Sequence, residues 1–147
     1  MSPIDAAVVR RKLGHIIASL ELLGPIREIS LQEYRRRVWK RKGVERVLQE
    51  AIEAALDVNA HLIAELGHDV PDDYFGGFVK LGQLGVLSED LAGALAPSAG
   101  LRNRLVHEYD TVDDAKVLAA VGTMLDLYPR YIQAIEAELV RLESERG

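Results

Sequence analysis

The chain contains no cysteine, which excludes a disulfide scaffold. No stretch approaches the roughly 20 apolar residues that a bilayer-spanning helix needs. Ser19 and Glu21 interrupt the apolar segment from Ile16 to Leu23, so the N-terminal charges are not followed by the apolar region of a secretory signal. These absences predict a soluble, cytoplasmic protein without a membrane partner. Strand-like alternation, internal repeats and low-complexity linkers are also missing, which leaves the helix as the regular element to place. What is present is ordinary globular material: 147 residues, 48% hydrophobic and 28% charged. A chain of this length is expected to form one domain, residues 1–147, burying roughly two-thirds of its unfolded surface without metal or disulfides.

The net charge of −5 conceals two halves of opposite sign. Residues 1–50 carry eleven basic and six acidic side chains, and residues 51–147 carry seven basic and seventeen acidic ones. Much of the positive excess lies in Arg35-Arg36-Arg37-Val38-Trp39-Lys40-Arg41-Lys42. Such a run can track a phosphate backbone and stack a base, with Arg35, Arg36 and Lys40 as candidate RNA contacts, or it can be a solvated helix face. Trp39 reads more readily as a core or dimer-interface plug than as a stacking platform. The acidic remainder argues against a protein that coats duplexes non-specifically.

Helical punctuation recurs along the chain. Ser2-Pro3-Ile4-Asp5 has the pattern of an N-cap followed by Val9, Leu13, Ile16, Ile17 and Leu20 at helical spacing, ended by Gly24-Pro25. Ser30-Leu31-Gln32-Glu33 is a second capping box, and from Val44 the positions Val47, Leu48, Ala51, Ala55, Val58, Leu62 and Leu66 trace one amphipathic helix stopped by Gly67. A short helix is expected from Tyr74 to Leu84, closed by Gly85, and another from Glu89, capped by Ser88 and broken or kinked at Pro97. A cap at Thr111 then opens a last long helix with a bend at Pro129. The expected fold is all-α, an up-down bundle of about four main helices plus short ones.

Within this frame, Arg102-Asn103-Arg104-Leu105-Val106-His107-Glu108-Tyr109 places a fixed cation, an imidazole and a phenol among core-like and small residues. The group is suited to handling a phosphate. Metal-free RNA cleavage needs a base for the 2′-OH proton, an acid for the leaving 5′ oxygen and positive charge on the phosphorane. Arg102 supplies the charge, Asn103 stands one turn before His107 to orient it, and Arg104 is an auxiliary phosphate contact. His107 can be base or acid, but one imidazole does not comfortably do both jobs at once. His15, His61 and His68 belong to no comparable grouping, so the economical site is composite, with Arg102 and His107 of two copies meeting at one groove. The product expected from this chemistry is a 2′,3′-cyclic phosphate.

Arg102, four residues, His107, one residue and Tyr109 match the R-x-x-x-x-H-x-Y signature of the HepT-like toxins of the HEPN superfamily, with the customary polar residue at Asn103. The segment Val44 to Asp57, the loop Gly67 to Tyr74, Gly85-Val86-Leu87 and Leu101 to Asp113 resemble the family in the same order, so the likeness covers roughly residues 30–135. Pro97 and the basic run before Gly43 depart from its pattern, and neither touches the signature. The resemblance implies a dimeric, metal-independent endoribonuclease that needs no cofactor and is the toxin of a type VII-like module. It also implies a partner, an MNT-type nucleotidyltransferase antitoxin that AMPylates Tyr109, obstructing the RNA path and repelling its backbone. A Gly-Ser followed by paired aspartates, the partner's own signature, is absent from the sequence, so the chain reads as the acceptor.

Three functions therefore stand side by side: a ribonuclease toxin, a catalytically silent HEPN subunit that binds nucleotide or serves its partner, and a plain dimerisation module. The octet also has a purely structural reading, a surface salt-bridge network covering a helix end. Glu53, Asp57 and His61 share a helix face, and Glu65 and His68 have metal-ligand spacing. Gly67 ends the helix before His68 and no second helix repeats the spacing, so no metal is expected and Asp57 is a candidate buried anchor instead.

Overall fold

The computed structural model describes residues 3–108 and 111–146. Seven α-helices follow one another: α1 (Pro3–Leu23), α2 (Leu31–Arg36), α3 (Val38–Glu65), α4 (Tyr74–Gln83), α5 (Glu89–Leu95), α6 (Pro97–His107) and α7 (Asp114–Arg146), with a 3₁₀ turn over Gly24–Glu28. The three long helices form the frame. Val9, Leu13, Ile16 and Leu23 of α1 and a broad stripe of α3 from Val44 to Ile63 are buried in one core cluster with α7. In α7 the buried positions Val117, Val121, Met124, Tyr128, Tyr131, Ile135, Leu139 and Leu142 keep helical spacing past Pro129, which lies inside the helix and is exposed.

The helix boundaries have local causes. Ser30 Oγ accepts from the Glu33 amide, Asp73 Oδ1 from Gly76 and Ser88 Oγ from Leu91, so three helix starts are closed by their own side chains. Gly67 and Gly85 both adopt φ +81°, a left-handed conformation that stops α3 and α4 at little cost to glycine. Ser2 lies outside the described residues.

Two boundaries differ from the sequence expectation. α3 begins six residues before Val44, and Arg37 (φ −117°, ψ 108°) separates it from α2, so the basic run is folded over a break. Arg36 and Lys40 would stand at i, i+4 in an unbroken helix, and the break at Arg37 takes this like-charged pair off one face. The cap of α7 is Asp113, not Thr111. Asp113 Oδ1 accepts from Ala115 at 2.9 Å, while the Thr111 hydroxyl instead donates back to the Glu108 carbonyl at 3.2 Å. A carboxylate also suits a helix N-terminus better than a hydroxyl.

The most buried polar grouping ties α7 to α3. The Tyr131 hydroxyl lies 2.6 Å from Asn59 Oδ1 and 3.1 Å from the Ala55 carbonyl, and its ring meets Phe78 edge-on at 5.9 Å between centroids. Burial pushes this hydroxyl well above the ordinary tyrosine range, so it remains a donor. Among the described residues no helix is long and apolar enough to cross a membrane.

Candidate active site at the end of α6

α6 starts at Pro97, where proline at the first turn sacrifices no helical hydrogen bond. Leu101 and Leu105 face the core, and this fixes where the polar side chains leave the helix. Asn103, Arg104 and His107 are exposed, whereas Arg102 keeps only 19% of its side chain accessible.

Arg102 is held from three sides. Its guanidinium carbon sits 5.1 Å from the centroid of the Tyr74 ring at the start of α4, its Nη1 donates to Asn103 Oδ1 at 3.3 Å, and its Nε lies 3.6 Å from Glu53 Oε1 on α3. The Glu53 oxygen is itself taken by Gln49 Nε2 at 2.7 Å, and Arg102 Nε is buried without a hydrogen-bond partner. Charge and aromatic contact thus hold the arginine without locking its donors. A buried donor without a partner gains a hydrogen bond when an anion reaches it, which favours anion binding beside Arg102.

Asn103 therefore contacts the arginine, and no hydrogen bond joins it to His107 among the described residues. The helix continues through His107, so Arg102 and His107 leave it about 140° apart. The last turn is not unwound to bring them together. No hydrogen bond or ion pair engages His107 among the described residues. Tyr109 lies outside the described residues.

The chain next runs from the level of Glu53 toward the start of α3. Asp114 Oδ2 lies 3.3 Å from Arg41 Nη1 and 3.8 Å from Arg35 Nε, so between residues 102 and 114 the chain passes from Glu53 to Arg41, roughly 18 Å along α3. The basic run is thereby drawn to the same side of the bundle as the tip of α6. Beneath it Tyr34 is buried without a partner for its hydroxyl, which burial, reinforced by Glu45 and Asp114, pushes above its ordinary range. Arg35 and Arg36 are exposed, and Lys40 is half-buried.

Some sequence expectations change here. Trp39 is 89% exposed, so it is not a core plug. Asp57 is not a buried anchor: it is exposed and pairs with Lys12 at 3.1 Å, held out by the flank of α1. Glu53 serves Arg102, and among the described residues no three His, Asp or Glu side chains gather as a metal site would require. Tyr74 and the partnership of Glu53 were missed by sequence reading. Both reach Arg102 from other helices and carry no local signal.

The arrangement has relatives. The family model described as ribonuclease HepT-like matches residues 16–135. The chain belongs to the ribonuclease HepT-like family. This HepT-like chain is 37% identical over 145 residues to the tRNA nuclease HepT of Aphanizomenon flos-aquae, covering 99% of each chain. It is 29% identical over 91 residues to the mRNA nuclease HepT of Shewanella oneidensis, covering 62% of this chain and 68% of the other. Among solved structures, the tri-AMPylated Shewanella oneidensis HEPN toxin in complex with MNT antitoxin superposes with a TM-score of 0.80 at 21% identity, covering 93% of this chain and 99% of that one. At that identity the likeness is one of fold. The HepT-like bundle seen here places the signature arginine and histidine at the end of the helix that precedes the longest one.

Proposed function

We propose that this HepT-like protein is a metal-independent endoribonuclease, the toxin of a two-component module, whose catalytic groove is completed by a second copy of the chain. The observation that carries the reading is the geometry of α6: a half-buried guanidinium with an unsatisfied donor, and an exposed imidazole five residues on and about 140° around the helix. One copy offers one arginine and one histidine pointing apart. Two copies related by a two-fold axis offer a pair of each across one groove.

In that groove one His107 takes the proton of the ribose 2′-OH while its oxygen forms a bond to the adjacent phosphorus. The bond from phosphorus to the 5′ oxygen breaks, and the other His107 gives that oxygen its proton. Arg102 neutralises the phosphorane with donors already stripped of water. The products are a 2′,3′-cyclic phosphate and a free 5′-OH, and no metal or cofactor enters the balance. Arg104, Arg35, Arg36 and Lys40 line the approach as phosphate contacts, with Asn103 steadying Arg102.

The partner is an MNT-type nucleotidyltransferase that transfers AMP to Tyr109 and so silences the groove, adding negative charge two residues from His107. The relative matched end to end is a tRNA nuclease, which makes tRNA the first substrate to offer. Purified protein given tRNA in EDTA cuts it, and Arg102→Ala and His107→Ala each abolish cutting. Co-expression with a neighbouring nucleotidyltransferase adds AMP-sized mass increments that vanish in Tyr109→Phe. Absence of cutting by the unmodified wild type overturns the ribonuclease reading and leaves the silent subunit.

A further inference from the structure

From the exposure of the lone tryptophan and the charges around it, we infer that the corner formed by the end of α2 and the start of α3 is a docking surface for single-stranded RNA, with Trp39 stacking on an unpaired base. The inference rests on the ribonuclease reading for its substrate but uses residues outside the catalytic groove. Trp39 is 89% exposed and its neighbour Val38 54%, so the indole is open to a ligand on its flat faces.

The surroundings select the occupant. Arg35 and Arg41 spend charge on Asp114, which anchors the corner to α7. Among the described residues no ion pair engages Arg36, Arg37 or Lys40, and both Arg36, at the end of α2, and Arg37, at the break, are exposed. The break puts Arg36 on α2 and Lys40 on α3, so these cations flank Trp39 in sequence from two helices. An aromatic plane set among cations fits a nucleobase attached to phosphates, because the ring takes the base face while the cations take the backbone. It fits an apolar protein face poorly, since the cations would have to be desolvated with it.

The location suits the same substrate. Asp114 lies seven residues beyond His107, and between them the Thr111 amide donates to the Glu108 carbonyl at 2.9 Å. Even fully extended, seven residues span at most about 25 Å. A strand whose phosphate is held at Arg102 can therefore place a nearby base on Trp39, and that base becomes a determinant of where the strand is cut.

Because Trp39 is the chain's single tryptophan, its fluorescence reports on the contact directly. The test titrates His107→Ala protein, which does not consume its ligand, with a single-stranded RNA of mixed sequence in EDTA at low salt. Binding is followed in parallel by anisotropy of the labelled RNA. Emission is expected to be quenched along the binding curve. Trp39→Ala is expected to weaken binding roughly 5- to 150-fold, the effect of stacking one base, with Trp39→Phe in between. Arg36→Ala combined with Lys40→Ala should flatten the salt dependence.

RNA binding that leaves the emission unchanged and is indifferent to Trp39→Ala overturns the inference. A change of oligomeric mass on Trp39→Ala overturns it too, by assigning the face to a contact between copies, as does quenching by anionic vesicles but not by RNA. Cutting of RNA by wild type with no response at Trp39 rejects this surface and keeps the ribonuclease. Quenching and binding without cutting do the reverse.

Discussion

Two polar groupings hang on α3, and they are built in opposite ways. Toward its C-terminal half, Asn59 is 1% exposed and its side-chain oxygen meets the Tyr131 hydroxyl at 2.6 Å inside an apolar shell. One turn and a half earlier, Glu53 faces the rim, takes a hydrogen bond from Gln49 and holds Arg102 at 3.6 Å by charge. The first is closed to solvent and directional. Each leaves one nitrogen without a partner, Asn59 Nδ2 in the first and Arg102 Nε in the second, but only the arginine keeps part of its side chain, 19%, in reach of solvent. In a low-dielectric interior the buried hydroxyl–amide contact contributes to stability, while a cation that still reaches the surface contributes affinity for whatever anion can meet its free donor. The difference separates what holds the bundle together from what the bundle offers.

Substitutions can break that comparison from either side. The largest effect belongs to the open grouping: Arg102→Ala should lower RNA cutting by at least about 100-fold, the range for removing a charge aimed at a transition state, while thermal unfolding shifts by about 1 kcal/mol or less. The closed grouping should behave inversely. Tyr131→Phe leaves Asn59 Oδ1 without its 2.6 Å donor and is expected to destabilise by about 1–3 kcal/mol in denaturant titrations, with the cutting rate of the folded fraction unchanged.

Glu53→Gln sharpens the contrast at smaller amplitude. Removing the carboxylate charge frees Arg102 for phosphate, so RNA should bind about two- to fivefold more tightly at low salt, the size of a partly exposed ion pair, with the gain fading as salt is added. The smallest effect concerns the basic corner. Burial raises the Glu45 carboxyl above its usual range, with Asp114 adding to the rise and Lys42 and Arg41 opposing it. A carboxyl that binds its proton more tightly when folded opposes folding above that titration, and the opposition is relieved as pH falls through it. Glu45→Gln should therefore raise the unfolding temperature slightly at neutral pH, and the advantage should shrink on acidification.

The fold was largely legible because its punctuation is local. Ser30, Ser88, Gly67 and Gly85 each announce a boundary through their own backbone preference, and the stripe from Val117 to Leu142 announces a buried face. The break at Arg37 was not, since neither glycine nor proline marks it and only the crowding of like charges hints at it. In the site, Arg102 and His107 could be picked out by chemistry and by resemblance. Their environment could not: Glu53 and Tyr74 stand 49 and 28 residues away in sequence and meet Arg102 only through helix packing. Glu53 suggested a metal ligand by its spacing, whereas tertiary structure gave it an arginine. Trp39 illustrates the converse, because composition favours burial for an indole and only the placement of α2 and α3 leaves it in water.

The proposed groove takes a histidine from each of two copies. That sharing is tested most directly by mixing wild-type and His107→Ala chains before assembly, at constant total protein, and measuring tRNA cutting in EDTA as the wild-type fraction is varied. If each groove requires two intact histidines, cutting follows the square of that fraction and an equal mixture retains about a quarter of full activity. Cutting that falls linearly, with about half retained at equal mixture, would show that each chain works alone and would contradict the composite site.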